Sequence, residues 1–124
     1  MAVKVVDASA MGALLFGEPQ GPEVARRLEG SQLIAPHLLP FEVASICRKK
    51  LERHGEQRHL ILTALDIFVR MAIERIEIHL PGIVSLAGQT QLTTYDASYL
   101  WLARQAQAEL ITLDQKLAAV MLSL

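Results

Sequence analysis

Short apolar, β-branched runs alternate along this chain with segments whose apolar residues recur at helical spacing. Val3 to Val6 reads as a first strand, followed by a helix from Ala8 to about Phe16. The cluster Gly17, Pro19, Gly21 and Pro22 breaks the chain before a short helix over Glu23 to Glu29. Leu33 to Ala35 forms a second strand, closed by Pro36. A long helix over Leu38 to His54 follows, with Pro40 tolerated in its first turn and Gly55 at its end. Leu60, Ala64 and Phe68, with Ile61 and Leu65 beside them, mark a helix over Glu56 to Met71. The pattern then predicts a strand at Arg75 to Ile78 and helices over Pro81 to Gly88 and Thr94 to Gln107. Leu110 to Thr112 is the fourth strand, and Asp114 opens a last helix reaching Leu122. Strands separated by helices need crossover connections, which gives a parallel sheet covered on both faces. The expected class is α/β, a three-layer α/β/α arrangement in a single domain over residues 1–124.

Composition narrows this picture. A chain of 124 residues buries about two-thirds of its extended-chain surface, enough for a core without disulfides. Aromatics are only 5%, so that core is expected to be aliphatic. The single cysteine, Cys47, excludes an intrachain disulfide framework and a multi-cysteine metal site. No apolar run approaches a membrane span, and Asp7 interrupts the segment that a signal peptide would need, so a cytoplasmic protein is expected. A net charge of −1 gives no global attraction to nucleic acid, which leaves only local patches to provide it.

The candidate chemistry lies in the acids. Three of the four aspartates, Asp7, Asp96 and Asp114, fall at predicted helix starts, and Glu42 lies in the first turns of the long helix. Asp7, Glu42 and Asp114 follow strands closely, so they should emerge at the carboxyl edge of the sheet, where ligands of open parallel sheets bind. Asp96 can join them from the start of its own helix. Each aspartate also suits a plain helix-capping role. Carboxylates that converge repel one another and raise each other's pKa unless a cation intervenes. With no usable His or Cys cluster, hard oxygen ligands of this kind suit Mg2+ or Mn2+. One or two such ions would activate a water and stabilise the leaving oxygen in phosphodiester cleavage.

The runs Val5-Val6-Asp7-Ala8-Ser9, Pro40-Phe41-Glu42-Val43-Ala44, Thr94-Tyr95-Asp96-Ala97-Ser98-Tyr99-Leu100 and Leu110-Ile111-Thr112-Leu113-Asp114 together resemble the PIN domain. More narrowly they resemble the VapC toxins of toxin–antitoxin pairs, in order along nearly the whole chain, at spacings of 35, 54 and 18 residues between the acids. The resemblance implies a Mg2+- or Mn2+-dependent endoribonuclease acting on RNA, often tRNA or rRNA. It assigns the metal-binding and catalytic positions to Asp7, Glu42, Asp96 and Asp114, with Ser9 and Thr112 as auxiliary hydroxyls. It also implies a homodimer and a cognate antitoxin that inhibits the enzyme. Family members often carry a fifth strand; four are expected here, with the fifth left open. The alternatives are a non-catalytic PIN-fold binding or scaffold module and a DNA-directed nuclease.

Arg48, Lys49, Lys50 and Arg53 form a basic run on the Glu42 helix, to be read as an RNA-binding patch or as a solvated face. Tyr95, Tyr99 and Trp101 flank Asp96 and suit the core or a dimer interface better than base stacking. The four histidines match no metal spacing, and Asp66 with Arg70 makes an ordinary helical ion pair. Leu117, Val120, Met121, Leu122 and Leu124 suit either the core or a partner contact on the last helix.

Overall fold

The computed structural model describes residues 1–124. Four parallel strands, β1 (Val3–Val6), β2 (Gln32–Pro36), β3 (Ile73–Ile76) and β4 (Glu109–Ile111), form one sheet in the order β3-β2-β1-β4. β1 is therefore central, with Val5 facing Ile34 on one side and Leu110 on the other. Val5 and Val6 are fully buried, as a strand covered on both faces requires.

Seven helices complete the three-layer α/β/α fold: α1 (Ala8–Leu15), α2 (Gly21–Leu28), α3 (Leu39–Arg53), α4 (Arg58–Arg70), α5 (Leu80–Thr90), α6 (Thr94–Ala106) and α7 (Gln115–Ser123). α1 packs with α2, α3 and α4, while α6 lies on β1, β2 and β4 with α5 and α7 against it. The core is mainly aliphatic, built around Met11, Leu39, Ile83, Leu100, Leu110, Ile111 and Leu117. Tyr99 is the largest fully buried side chain within it.

Three boundaries differ from the expectation. β3 lies at Ile73–Ile76 rather than Arg75–Ile78, because its ladder ends where Pro36 of β2 pairs with Ile76. Ile78 still packs on the core, which is why the apolar pattern runs past the strand. α2 opens at Gly21, inside the cluster read as a break. Pro22 sits in its first turn, where a missing N–H costs nothing, and the absent Cβ of Gly21 lets α2 approach α1, since a Cβ there would stand 2.8 Å from Ala13 O. The helix read from Glu56 begins as a 3₁₀ turn over Gly55–Gln57 before α4.

On α7, Leu117 belongs to the core, and Val120 and Met121 pack against it. Only Leu122 and Leu124 remain exposed of the partner surface considered there.

Candidate active site

Asp7 follows the last residue of β1 and is buried, 4% exposed. It caps α1: its Oδ1 accepts the Ala10 N–H at 3.0 Å and the Ser9 hydroxyl at 2.7 Å, while Oδ2 accepts the Thr112 hydroxyl. Both hydroxyls also bind the segment between β4 and α7. Ser9 Oγ accepts Leu113 N–H at 2.9 Å, and Thr112 Oγ1 accepts Asp114 N–H at 3.0 Å. Ser9 and Thr112 thus clamp the ends of two adjacent strands around one carboxylate.

Asp114 caps α7 through Oδ1, which accepts Leu117 N–H at 2.9 Å, leaving Oδ2 without a protein partner. Asp96 does not cap its helix. Thr93 takes that role, accepting Asp96 N–H at 3.1 Å, so both carboxylate oxygens of Asp96 are free. Glu42, in the first turn of α3, is half-buried, and its Oε1 accepts the Tyr99 phenol at 2.6 Å.

The acids act on one another through their charges. Burial pushes the Asp7 pKa up, against the lowering effect of its three hydrogen bonds, and Asp114 pushes it further up. Burial raises Glu42, and the charges of Asp96 and Asp7 add to that, opposed by the Tyr99 hydrogen bond. Asp96 is raised by burial, then by Asp114 and Asp7. The one cation acting on it is Lys116, whose ammonium is held by Gln91 O at 3.0 Å. Uncompensated carboxylates with free oxygens and no nitrogen or sulfur donors suit a hard divalent cation. As the side chains stand, no group of three or more His, Cys, Asp or Glu is arranged to hold a metal ion. Mg2+ keeps several waters and binds through one or two carboxylates plus substrate phosphate, so it would ask for fewer protein ligands than such a group supplies.

The basic run divides. Arg48 pairs with Glu52 at 2.9 Å and Lys50 with Glu18, so neither is free. Lys49 and Arg53 have no carboxylate partner and line a small pocket with Glu18 and His54. Tyr95 is exposed, whereas Trp101 is half-buried against His79. Tyr99 and Lys116 are the contributors the sequence reading missed. The signal for Tyr99 was its place three residues after Asp96, together with the need of a buried phenol for a partner. Nothing local marked Lys116.

Comparison with known proteins identifies the family. A family model described as PIN domain matches residues 4–121. Ribonuclease VapC3 of Pyrobaculum aerophilum is 31% identical over 119 residues, covering 92% of this chain and 91% of that protein. Ribonuclease VapC1 of Mycobacterium tuberculosis is 34% identical over 118 residues, covering 93% and 88%. The crystal structure of PAE2754 from Pyrobaculum aerophilum superposes with a TM-score of 0.75 at 24% identity, covering 96% of this chain and 84% of that one. With a PIN-domain match over nearly its whole length and relatives of 31% and 34% identity on a β3-β2-β1-β4 sheet, this chain belongs to the PIN-domain family, among the VapC proteins.

Proposed function

We propose that this protein is a Mg2+- or Mn2+-dependent endoribonuclease, the toxin of a toxin–antitoxin pair. The observation that carries the reading is the shared field of Asp7, Glu42, Asp96 and Asp114: three of them have raised pKa values, each partly through another member of the set. Relatives named ribonuclease, aligned over more than nine-tenths of the chain, support RNA as the substrate.

In this reading Asp96, Glu42 Oε2 and Asp114 Oδ2 offer oxygens to the cation, and Asp7 anchors the group through its three donors. Mg2+ or Mn2+ held there would supply charge neutralisation at the scissile phosphate and a more acidic water. Ser9 and Thr112 hold Asp7 and the backbone of Asp114 in register. The Tyr99 hydroxyl holds Glu42 Oε1 in place. Lys49 and Arg53 would draw RNA phosphates along α3.

A cognate antitoxin has a suitable surface in the groove of about 560 Å³ among α1, α3 and α4. Leu60 and Ile67 line it while remaining 67% and 55% exposed, which suits the apolar face of an amphipathic helix. A homodimer would cover some of the exposed Phe41, Leu80, Val84 and Tyr95. No helix is long and apolar enough to cross a membrane, and a cytoplasmic site of action fits a nuclease of cellular RNA.

The test is cleavage of structured RNA, with single-stranded DNA beside it, in Mg2+ or Mn2+, with EDTA and Asp96→Asn as controls. Metal-dependent RNA cutting lost in the variant is expected. Cutting of DNA alone would replace the substrate, and absence of both cation binding and cleavage would overturn the reading.

A further inference from the structure

A second polar cleft, of about 350 Å³, lies between α5 and α6, away from the acids. Gly82, Ser85 and Gln89 line it from α5, and Trp101, Arg104 and Gln105 from α6. Its chemistry is the reverse of the active site's. No carboxylate lines it, and the Arg104 guanidinium has no carboxylate within 4.0 Å and no hydrogen bond within the protein.

The Trp101 indole N–H is also without a protein partner, although its ring is held in place. His79 stacks on it with ring centroids 6.2 Å apart and planes 20° from parallel, and His79 Nδ1 is itself fixed by the Gly82 N–H at 3.1 Å. Gly82 makes this approach possible, because a Cβ there would stand 2.7 Å from Trp101 Nε1. The result is a cleft with an indole donor, a free guanidinium and two amides, with no acid to neutralise them.

We propose that this cleft binds a phosphate of the substrate RNA, with Arg104 and the Trp101 N–H donating to its oxygens. Arginine's planar fork matches phosphate geometry, and hydrogen bonds to an ionised acceptor are the strong ones. Asp96 and Arg104 lie on the same helix, eight residues or about 12 Å apart along its axis. A strand entering the acid site therefore reaches the cleft within a few nucleotides. The cleft is then a positioning site that engages RNA beside the scissile bond. This rests on the nuclease reading for its substrate, but not for its chemistry.

Trp101 is the only tryptophan in the chain, so its fluorescence reports on this cleft alone. Metal-free protein in EDTA is titrated with inorganic phosphate, AMP and a short single-stranded RNA, with RNA anisotropy followed in parallel. The RNA is expected to shift Trp101 emission at the concentrations at which it binds. Arg104→Ala should weaken RNA binding about tenfold at low salt and reduce the salt slope by about 0.7. Arg104→Lys should restore the slope, and Gly82→Ala, which displaces the indole, should abolish the emission shift. RNA that binds without moving Trp101 emission, or an unchanged slope in Arg104→Ala, would overturn the proposal. A response to free phosphate or AMP but not to RNA would also overturn it. A Trp101 response to RNA in a protein that cleaves nothing would leave the cleft standing and remove the nuclease reading instead.

Discussion

Tyr99 donates its phenolic O–H to Glu42 Oε1 at 2.6 Å, joining α6 to the first turn of α3 across 57 residues of sequence. The ring fills the core at 1% exposure, so one side chain serves both the packing of the domain and the orientation of a candidate ligand. Tyr99→Phe keeps the ring and removes only the donor. Loss of one hydrogen bond to a half-buried carboxylate should cost about 1–2 kcal/mol, read as a lower denaturant midpoint. The hydrogen bond lowers the Glu42 pKa, so its removal should move the acid limb of the cleavage profile to higher pH. An unmoved limb would take Glu42 out of the titration that governs activity.

Thr112 makes a sharper case, because its hydroxyl donates to Asp7 and accepts from the Asp114 backbone at once. Thr112→Val is nearly isosteric but strands both partners. It should destabilise the fold by about 2 kcal/mol and lower cleavage, whereas Thr112→Ser should restore both. Thermal melts and cleavage rates on the three proteins decide this. If Ser fails to rescue, packing of the Thr112 methyl matters more than its hydroxyl.

These two contacts mark how much the sequence made legible. The four strands and seven helices follow from periodicity and from Gly and Pro placement. The acids were found because three of them directly follow strands or open helices. Local pattern could not say which aspartates cap. Asp7 and Asp114 do, but at α6 the preceding Thr93 takes the role and frees Asp96. Nor could it place β3, since an edge strand is bounded by its one partner, and Pro36 lies 40 residues from Ile76. Tyr99 looked like core, and it is core. Its second function depends on a long-range partner that spacing along α6 does not reveal.

The freedom of Asp96 leads to a stability prediction. Asp96→Asn removes a charge that Asp114 and Asp7 repel, without disturbing a cap. In metal-free buffer the variant should melt higher than wild type. It should lose most of the gain in Tm that Mn2+ gives the wild type, and lose activity by about two orders of magnitude or more. A variant that melts lower and still responds fully to Mn2+ would show that Asp96 is not part of the cation site.

The same repulsion sets a pH dependence for the metal-free protein. Asp7, Glu42 and Asp96 all have folded pKa values above their ordinary ones of 3.8, 4.5 and 3.8. Between the ordinary and raised values the folded chain holds protons that the unfolded chain has released, so stability falls as pH rises through that window. Metal-free Tm should therefore decline as pH rises above the ordinary carboxylate values, more steeply in wild type than in a Glu42→Gln, Asp96→Asn double variant. Saturating Mn2+ should flatten the wild-type curve. Equal slopes in the two proteins would place the titration elsewhere.

Lys49 and Arg53 differ from Arg48 and Lys50 in a way that binding can read. Arg48 is tied to Glu52 and Lys50 to Glu18, while the other two cations lack carboxylate partners. A lysine already neutralised by a neighbouring carboxylate releases few counterions when RNA arrives; a free one releases its full share. Lys49→Ala and Arg53→Ala should each flatten the logarithmic salt dependence of RNA binding by about 0.7, and Arg48→Ala should leave it nearly unchanged. Anisotropy titrations between low and moderate salt give the slopes directly. If Arg48→Ala flattens the slope as much as Lys49→Ala does, the ion pair with Glu52 opens on binding, and the whole run rather than two of its members faces the RNA.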